Sequence, residues 1–83
     1  MPMRMVLIDA KGPGYANFVR NGAFRDWWNG RFAFLDQANR QVTAAKGIPI
    51  EWHFAEQRAA EATAKFFSDE GVSAIKIKVT PRR

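Results

Sequence analysis

The sequence predicts an α/β fold, a β-α-β-α-β succession with a mostly parallel sheet, and three observations carry that reading. Apolar, β-branched runs recur at residues 3–11, 49–55 and 73–79. Two stretches of helical periodicity separate them. Glycine or proline punctuates the junctions. Strands separated by full helices usually run parallel with right-handed crossovers.

Each element has its own signal. In residues 3–11, Met5, Leu7, Asp9 and Lys11 share one face of the strand and Val6, Ile8 and Ala10 the other, because strand side chains alternate. Gly12-Pro13-Gly14 ends the run. Tyr15 to Val19 suits a short helical turn, broken by Asn21-Gly22. A helix over residues 24–46 is expected from the stripe Trp28, Phe32, Leu35, Ala38, Val42 and Ala45, weakened by Gly30 inside it. Gly47 stands at a left-handed cap position, and Pro49 blocks continuation. In the second strand Ile50, Trp52 and Phe54 oppose Glu51 and His53. The alanine-rich segment Glu56 to Ser68, with Ala59, Ala62 and Phe66 on one stripe, reads as a second helix, ended by Gly71. Ile75, Ile77 and Val79 alternate with Lys76 and Lys78 in the third strand, and Thr80 to Arg83 form a loose tail.

Length and composition bound the function. Eighty-three residues make one domain, 1–83, burying about 60–65% of the surface of the unfolded chain. The balance of 47% hydrophobic and 25% charged residues is that of a globular protein. No cysteine is present, which excludes disulfides and zinc-thiolate sites. No apolar run reaches the roughly 20 residues of a membrane span, and the first five residues are too few for a signal peptide. A net charge of +5 favours polyanionic partners, nucleic acid first, although many small basic domains bind nothing anionic.

The candidate chemistry starts at Asp9-Ala10-Lys11. A carboxylate and an amine two residues apart on a strand point to one side. Phosphodiester hydrolysis needs such a pair: an acid to hold a divalent cation and a cationic group to orient water and offset developing charge. The same tripeptide also occurs as an ordinary strand end. Gln37 and Gln41, one helical turn apart, flank the apolar stripe and fit either phosphate contact or a solvated helix face. His53, the only histidine, either lines a cleft beside the first strand or is hydrogen-bonded structure. Tyr15 either stacks on a base or closes the glycine turn, whose N–H groups suit an approaching phosphate. Lys76, Lys78, Arg82 and Arg83 suit nonspecific phosphate contact, or guard an edge strand. Trp27, Trp28 and Trp52 are expected in the core. No Walker loop or dinucleotide fingerprint is present.

Taken in order, Leu7-Ile8-Asp9-Ala10-Lys11-Gly12-Pro13-Gly14-Tyr15-Ala16, Asp36-Gln37-Ala38 with Gln41, Glu51-Trp52-His53-Phe54-Ala55-Glu56 with Ala59-Ala60, and Thr80-Pro81 resemble a family of bacterial toxin domains. These are the fifth class of restriction-endonuclease-fold domains in polymorphic and type VI-secreted toxins, within the PD-(D/E)xK nuclease superfamily. The resemblance spans nearly the whole chain. It implies a DNase, a hydrolase that cleaves DNA with magnesium or manganese. It further implies Asp9 as a metal-binding acid, Lys11 as the catalytic lysine, and Gln37 and Gln41 as the glutamines that such nucleases place on the following helix. Asp9 stands where glutamate is commoner. The chain would be made in a bacterial cytoplasm and delivered into a target cell within a secreted effector.

The family core runs αβββαβ, with its first metal-binding acid on the strand before Asp-x-Lys. Asp9 is the first acidic residue here, and eight residues precede it. The chain is therefore expected to correspond to the C-terminal part of such a domain, a partial restriction-endonuclease-like core. A second expectation follows, that of a non-catalytic fragment binding the full-length toxin, its immunity protein or a chaperone, or self-associating through an orphaned sheet edge. A plain basic nucleic-acid-binding domain is the third.

Overall fold

A computed structural model describes residues 5–81. Five strands and two α-helices follow one another as β1 (Leu7–Lys11), β2 (Val19–Arg20), β3 (Ala23–Phe24), α1 (Gly30–Ala45), β4 (Ile50–Phe54), α2 (Gln57–Asp69) and β5 (Ile75–Val79), with a 3-10 turn at Tyr15–Phe18. The main sheet has the order β1-β4-β5 and both of its pairings are parallel; β2 and β3 form a separate antiparallel pair. The expected α/β class and β-α-β-α-β succession hold, with the small hairpin inserted after β1.

Both helices lie on one face of the sheet. Trp52, in the central strand, meets Phe34 of α1 and Phe67 of α2 at centroid separations of 5.4 and 5.3 Å. Ile50, Trp52 and Phe54 are buried there, while Glu51 and His53 on the opposite face are partly exposed. Along α2 the buried positions are Ala59, Ala60, Ala62, Thr63 and Phe67. Four of these are small, so the helix backbone can pack close to β4 and β5.

The first helix differs from expectation in extent and in the face it buries. It begins at Gly30, not residue 24. Asn21 (φ 53°) and Gly22 (φ 81°) are both left-handed, as a type I′ hairpin turn requires, and so Ala23–Phe24 becomes a strand. The Arg31 guanidinium then donates to the carbonyls of Asp26 (2.9 Å) and Trp28 (2.6 Å), fixing the loop. The Trp28 indole folds over Gly30, where a Cβ would overlap the ring. Glycine is thus required at the helix start and does not weaken its interior. The buried positions are Phe34, Ala38 and Ala45, whereas Phe32 and Val42 of the expected stripe are exposed.

Other boundaries move little. Leu7 opens β1, and residues 3 and 4 of the expected strand lie outside the described residues. Lys46 (φ 50°) and Gly47 (φ 91°) make the left-handed end of α1. Thr80 is tied down: its N–H donates to the Phe54 carbonyl at 2.8 Å, so the tail is anchored at its first residue. Trp27, expected in the core, is exposed. Among the described residues no helix is long and apolar enough to cross a membrane.

Candidate active site

β1 aims Leu7, Asp9 and Lys11 at the helix-covered face, because the register pairs Asp9 with Trp52 and Lys11 with Phe54. α1 crosses above them and lowers Gln37 and Gln41 onto the same spot. Asp9 Oδ2 accepts from Gln37 Nε2 (3.0 Å) and Gln41 Nε2 (2.9 Å). Lys11 Nζ donates to Gln37 Oε1 at 2.7 Å and lies 3.3 Å from Asp9 Oδ1. The four residues singled out in the sequence therefore form one hydrogen-bonded cluster. The glutamines do not flank the packed face of α1 as expected; they belong to it, interleaved with Phe34 and Ala38.

Aromatic rings support this cluster from below. Lys11 Nζ sits 4.3 Å from the centre of the Trp52 ring and 5.2 Å from that of Phe34, within the range of cation–π attraction. The Trp52 indole donates to Gln41 Oε1 at 2.8 Å. Side-chain exposure is 9% for Lys11 and 21% for Asp9, so the amine is enclosed and the carboxylate is the part that reaches solvent. Leu7, Ile8, Asp9, Ala10, Gln41 and Ala44 line an open cavity of about 400 Å³ on that side.

Both Asp9 oxygens are engaged inside the cluster, Oδ2 by Gln37 and Gln41 and Oδ1 by Lys11, so a cation would have to share or displace these donors. Among the described residues no three of His, Cys, Asp and Glu gather as a ready cage. Asp9 offers one carboxylate at the mouth of the cavity. Magnesium is commonly held by one or two carboxylates together with water and substrate phosphate oxygens, and one acid meets the lower end of that requirement.

The remaining candidates go elsewhere. His53 is on the opposite sheet face from Asp9, since it pairs in register with Ala10. A carboxylate can only accept, so His53 Nε2 carries the hydrogen shared with Glu51 Oε1 (2.9 Å); Nδ1 faces Thr80 Oγ1 (2.9 Å). Lys78 Nζ joins the same carboxylate at 3.3 Å. The Glu51 carboxyl is held below its usual range, chiefly by the His53 hydrogen bond, with burial opposing and Lys78 adding to the lowering. Lys76 and Lys78 project from the uncovered face of the edge strand β5, away from the Asp9 cluster. Arg82 and Arg83 lie outside the described residues. Tyr15 packs against Phe34 (5.1 Å), Trp28 (6.2 Å) and Phe54 (6.4 Å), which ties its ring to the core beside the turn.

Two further residues contribute beyond the sequence expectations. Trp52, expected in the core and buried there, also fixes the Gln41 amide through its indole N–H. Glu56 Oε1 accepts from the N–H groups of Gly14 (2.9 Å) and Ala16 (3.1 Å). The glycine turn thus already holds an anion, the protein's own carboxylate. Glu56 directly precedes α2 but makes no capping bond to it, and a contact across some 40 residues leaves no local pattern in the sequence.

No family model, curated protein or solved structure matches the chain.

Proposed function

We propose that the chain is the active-site part of a metal-dependent nuclease domain that hydrolyses DNA, of the restriction-endonuclease-like kind carried by bacterial secreted toxins. One observation supports this above all: Asp9, Lys11, Gln37 and Gln41 join in a single hydrogen-bonded cluster, of which Asp9 and Gln41 line an open cavity. Asp9 would hold a magnesium or manganese ion, and the bound ion would supply charge stabilisation on a phosphodiester oxygen. Lys11, enclosed and fixed by Gln37 and the Trp52 ring, would act through its charge, offsetting the negative charge that develops on a phosphate held at Asp9. Gln37 and Gln41 keep the Asp9 carboxylate turned toward the opening. Lys76 and Lys78 lie on the opposite face of the sheet, so they would raise the overall attraction for DNA without touching a strand held at Asp9. On this reading the chain is made in a bacterial cytoplasm and reaches its target as part of an effector.

Plasmid cleavage by the purified chain with magnesium, beside an EDTA control and Asp9→Ala, tests this reading. Cutting that needs both metal and Asp9 supports it. A well-folded sample that never cuts shifts the function to the second reading.

That second reading is a non-catalytic module that docks onto the full-length toxin, its immunity protein or a chaperone. The exposed apolar residues of β1, Leu7 and Ile8, on a strand with one edge unpaired among the described residues, favour it.

A further inference from the structure

Met5, Val6, Leu7 and Ile8 are consecutive, large, apolar and exposed, Ile8 to 63%. They lead into and form an edge strand whose second side pairs with no strand among the described residues. Two hydrogen bonds fix the direction of its backbone. Leu7 N–H donates to the Pro49 carbonyl, and the Lys11 carbonyl accepts from Ala55 N–H. Leu7, Asp9 and Lys11 therefore aim their backbone groups at β4, while Ile8 and Ala10 present theirs outward; one further residue of strand, in a paired edge, would have Val6 do the same. An apolar edge with free amides and carbonyls is a template for another strand.

We infer that this edge pairs with the same edge of a second copy of the chain, antiparallel about a two-fold axis at Leu7. The two three-stranded sheets then become one continuous sheet. A two-fold axis makes the pairing of identical edges antiparallel. The register follows from charge and hydropathy along Arg4-Met5-Val6-Leu7-Ile8-Asp9. An axis at Asp9 sets two carboxylates face to face, which is destabilising. Centring the axis on Ile8 sets Leu7 against Asp9, and centring it on Val6 takes Ile8 out of the apolar overlap. The axis at Leu7 alone places Val6 opposite Ile8 of the second copy, twice, and Leu7 opposite Leu7. Val6 and Ile8 are the outward-pointing residues, so each such pair exchanges both hydrogen bonds. The two Leu7 residues form the close, non-hydrogen-bonded pair.

The same register brings Met5 of the second copy opposite Asp9, on the helix-covered face and at the mouth of the cavity lined by Leu7, Asp9, Gln41 and Ala44. Self-pairing thus competes with access to Asp9. This consequence rests on the nuclease reading; the pairing itself does not.

The chain has no cysteine, so Leu7→Cys carries a single thiol. Non-hydrogen-bonded partners have Cα atoms about 4.5 Å apart, within the roughly 4.4–6.8 Å that a disulfide spans. Under mild oxidation most Leu7→Cys chain is expected as a disulfide-linked dimer, and most Ile8→Cys chain as monomer. In sedimentation the unmodified chain is expected to be a dimer, and Ile8→Lys or Val6→Lys, each with unchanged circular dichroism, a monomer. A monomeric unmodified chain at micromolar concentrations overturns the pairing. Cross-linking no better at position 7 than at position 8 overturns the register. Neither readout involves cleavage, so a failure here stands apart from a failure of the nuclease reading.

Discussion

The side-chain amide of Gln41 joins Trp52 to Asp9, accepting from the indole N–H at 2.8 Å and donating to Asp9 Oδ2 at 2.9 Å. An indole nitrogen can only donate, so it selects the orientation of the amide and turns the amide N–H toward the carboxylate. The position of the acid is thereby set from the core outward.

Replacing Gln41 by leucine strands a buried indole donor and removes one donor from Asp9. We expect a loss of about 1–3 kcal/mol in urea unfolding. Adding Trp52→Phe, which has no donor to strand, should cost less in the Gln41→Leu background than in the parent. Equal costs in the two backgrounds would show that the bridge contributes nothing.

Lys11→Met keeps an unbranched stem between the Phe34 and Trp52 rings while removing the amine. Under the nuclease proposal, cleavage should fall at least about 100-fold, the scale of losing one group that stabilises developing charge. Circular dichroism should be unchanged. Cleavage at the parent rate by the folded variant would remove Lys11 from the chemistry.

Glu51 predicts an acid-side dependence of stability. Its carboxyl is held below the usual range in the folded chain, first by the His53 hydrogen bond. A carboxyl with a lowered folded value contributes stability above its unfolded value, near pH 4.3, and loses it as pH falls through the folded value. Thermal midpoints of Glu51→Gln should therefore fall less steeply below about pH 4.3 than those of the parent. Parallel curves for the two proteins would assign the acid sensitivity elsewhere.

Glu56 clamps the turn after β1 through the Gly14 and Ala16 N–H groups. Glu56→Ala should expose both amides, speeding their hydrogen exchange and costing about 1–3 kcal/mol. Glu56→Gln keeps an acceptor oxygen and should restore much of the protection. Unchanged exchange at Gly14 in the alanine variant would refute the clamp.

Much of the cluster was legible because it obeys two simple periods. Asp9 and Lys11 share a face by strand alternation, and Gln37 and Gln41 by one helical turn. The inward direction of the glutamines was not legible. A search for an apolar stripe selects Phe32, Leu35 and Val42, yet an acid and an amine lie beneath α1 and require polar partners. Polar side chains thus occupy the packed face, and Phe32 and Val42 are left outside. The β2–β3 hairpin escaped because its strands have two residues each, too few to show alternation, although Asn21-Gly22 is a hairpin turn signal. Strand alternation puts His53 on the polar face of β4, but only the register with β1 puts that face opposite to Asp9.

The edge position of β1 also divides the cluster into parts with different lifetimes. Gln37, Gln41 and Trp52 belong to elements held by the aromatic core, whereas Asp9 and Lys11 ride on a strand that, among the described residues, pairs only with β4. Local opening that peels away one strand takes less free energy than global unfolding, so the acid and the amine can leave together while the rest of the fold persists. Whatever grips Asp9, whether a cation or an added strand, also pins β1. Its arrival should register first as slowed exchange of the Asp9 and Lys11 amides, before any substrate is turned over.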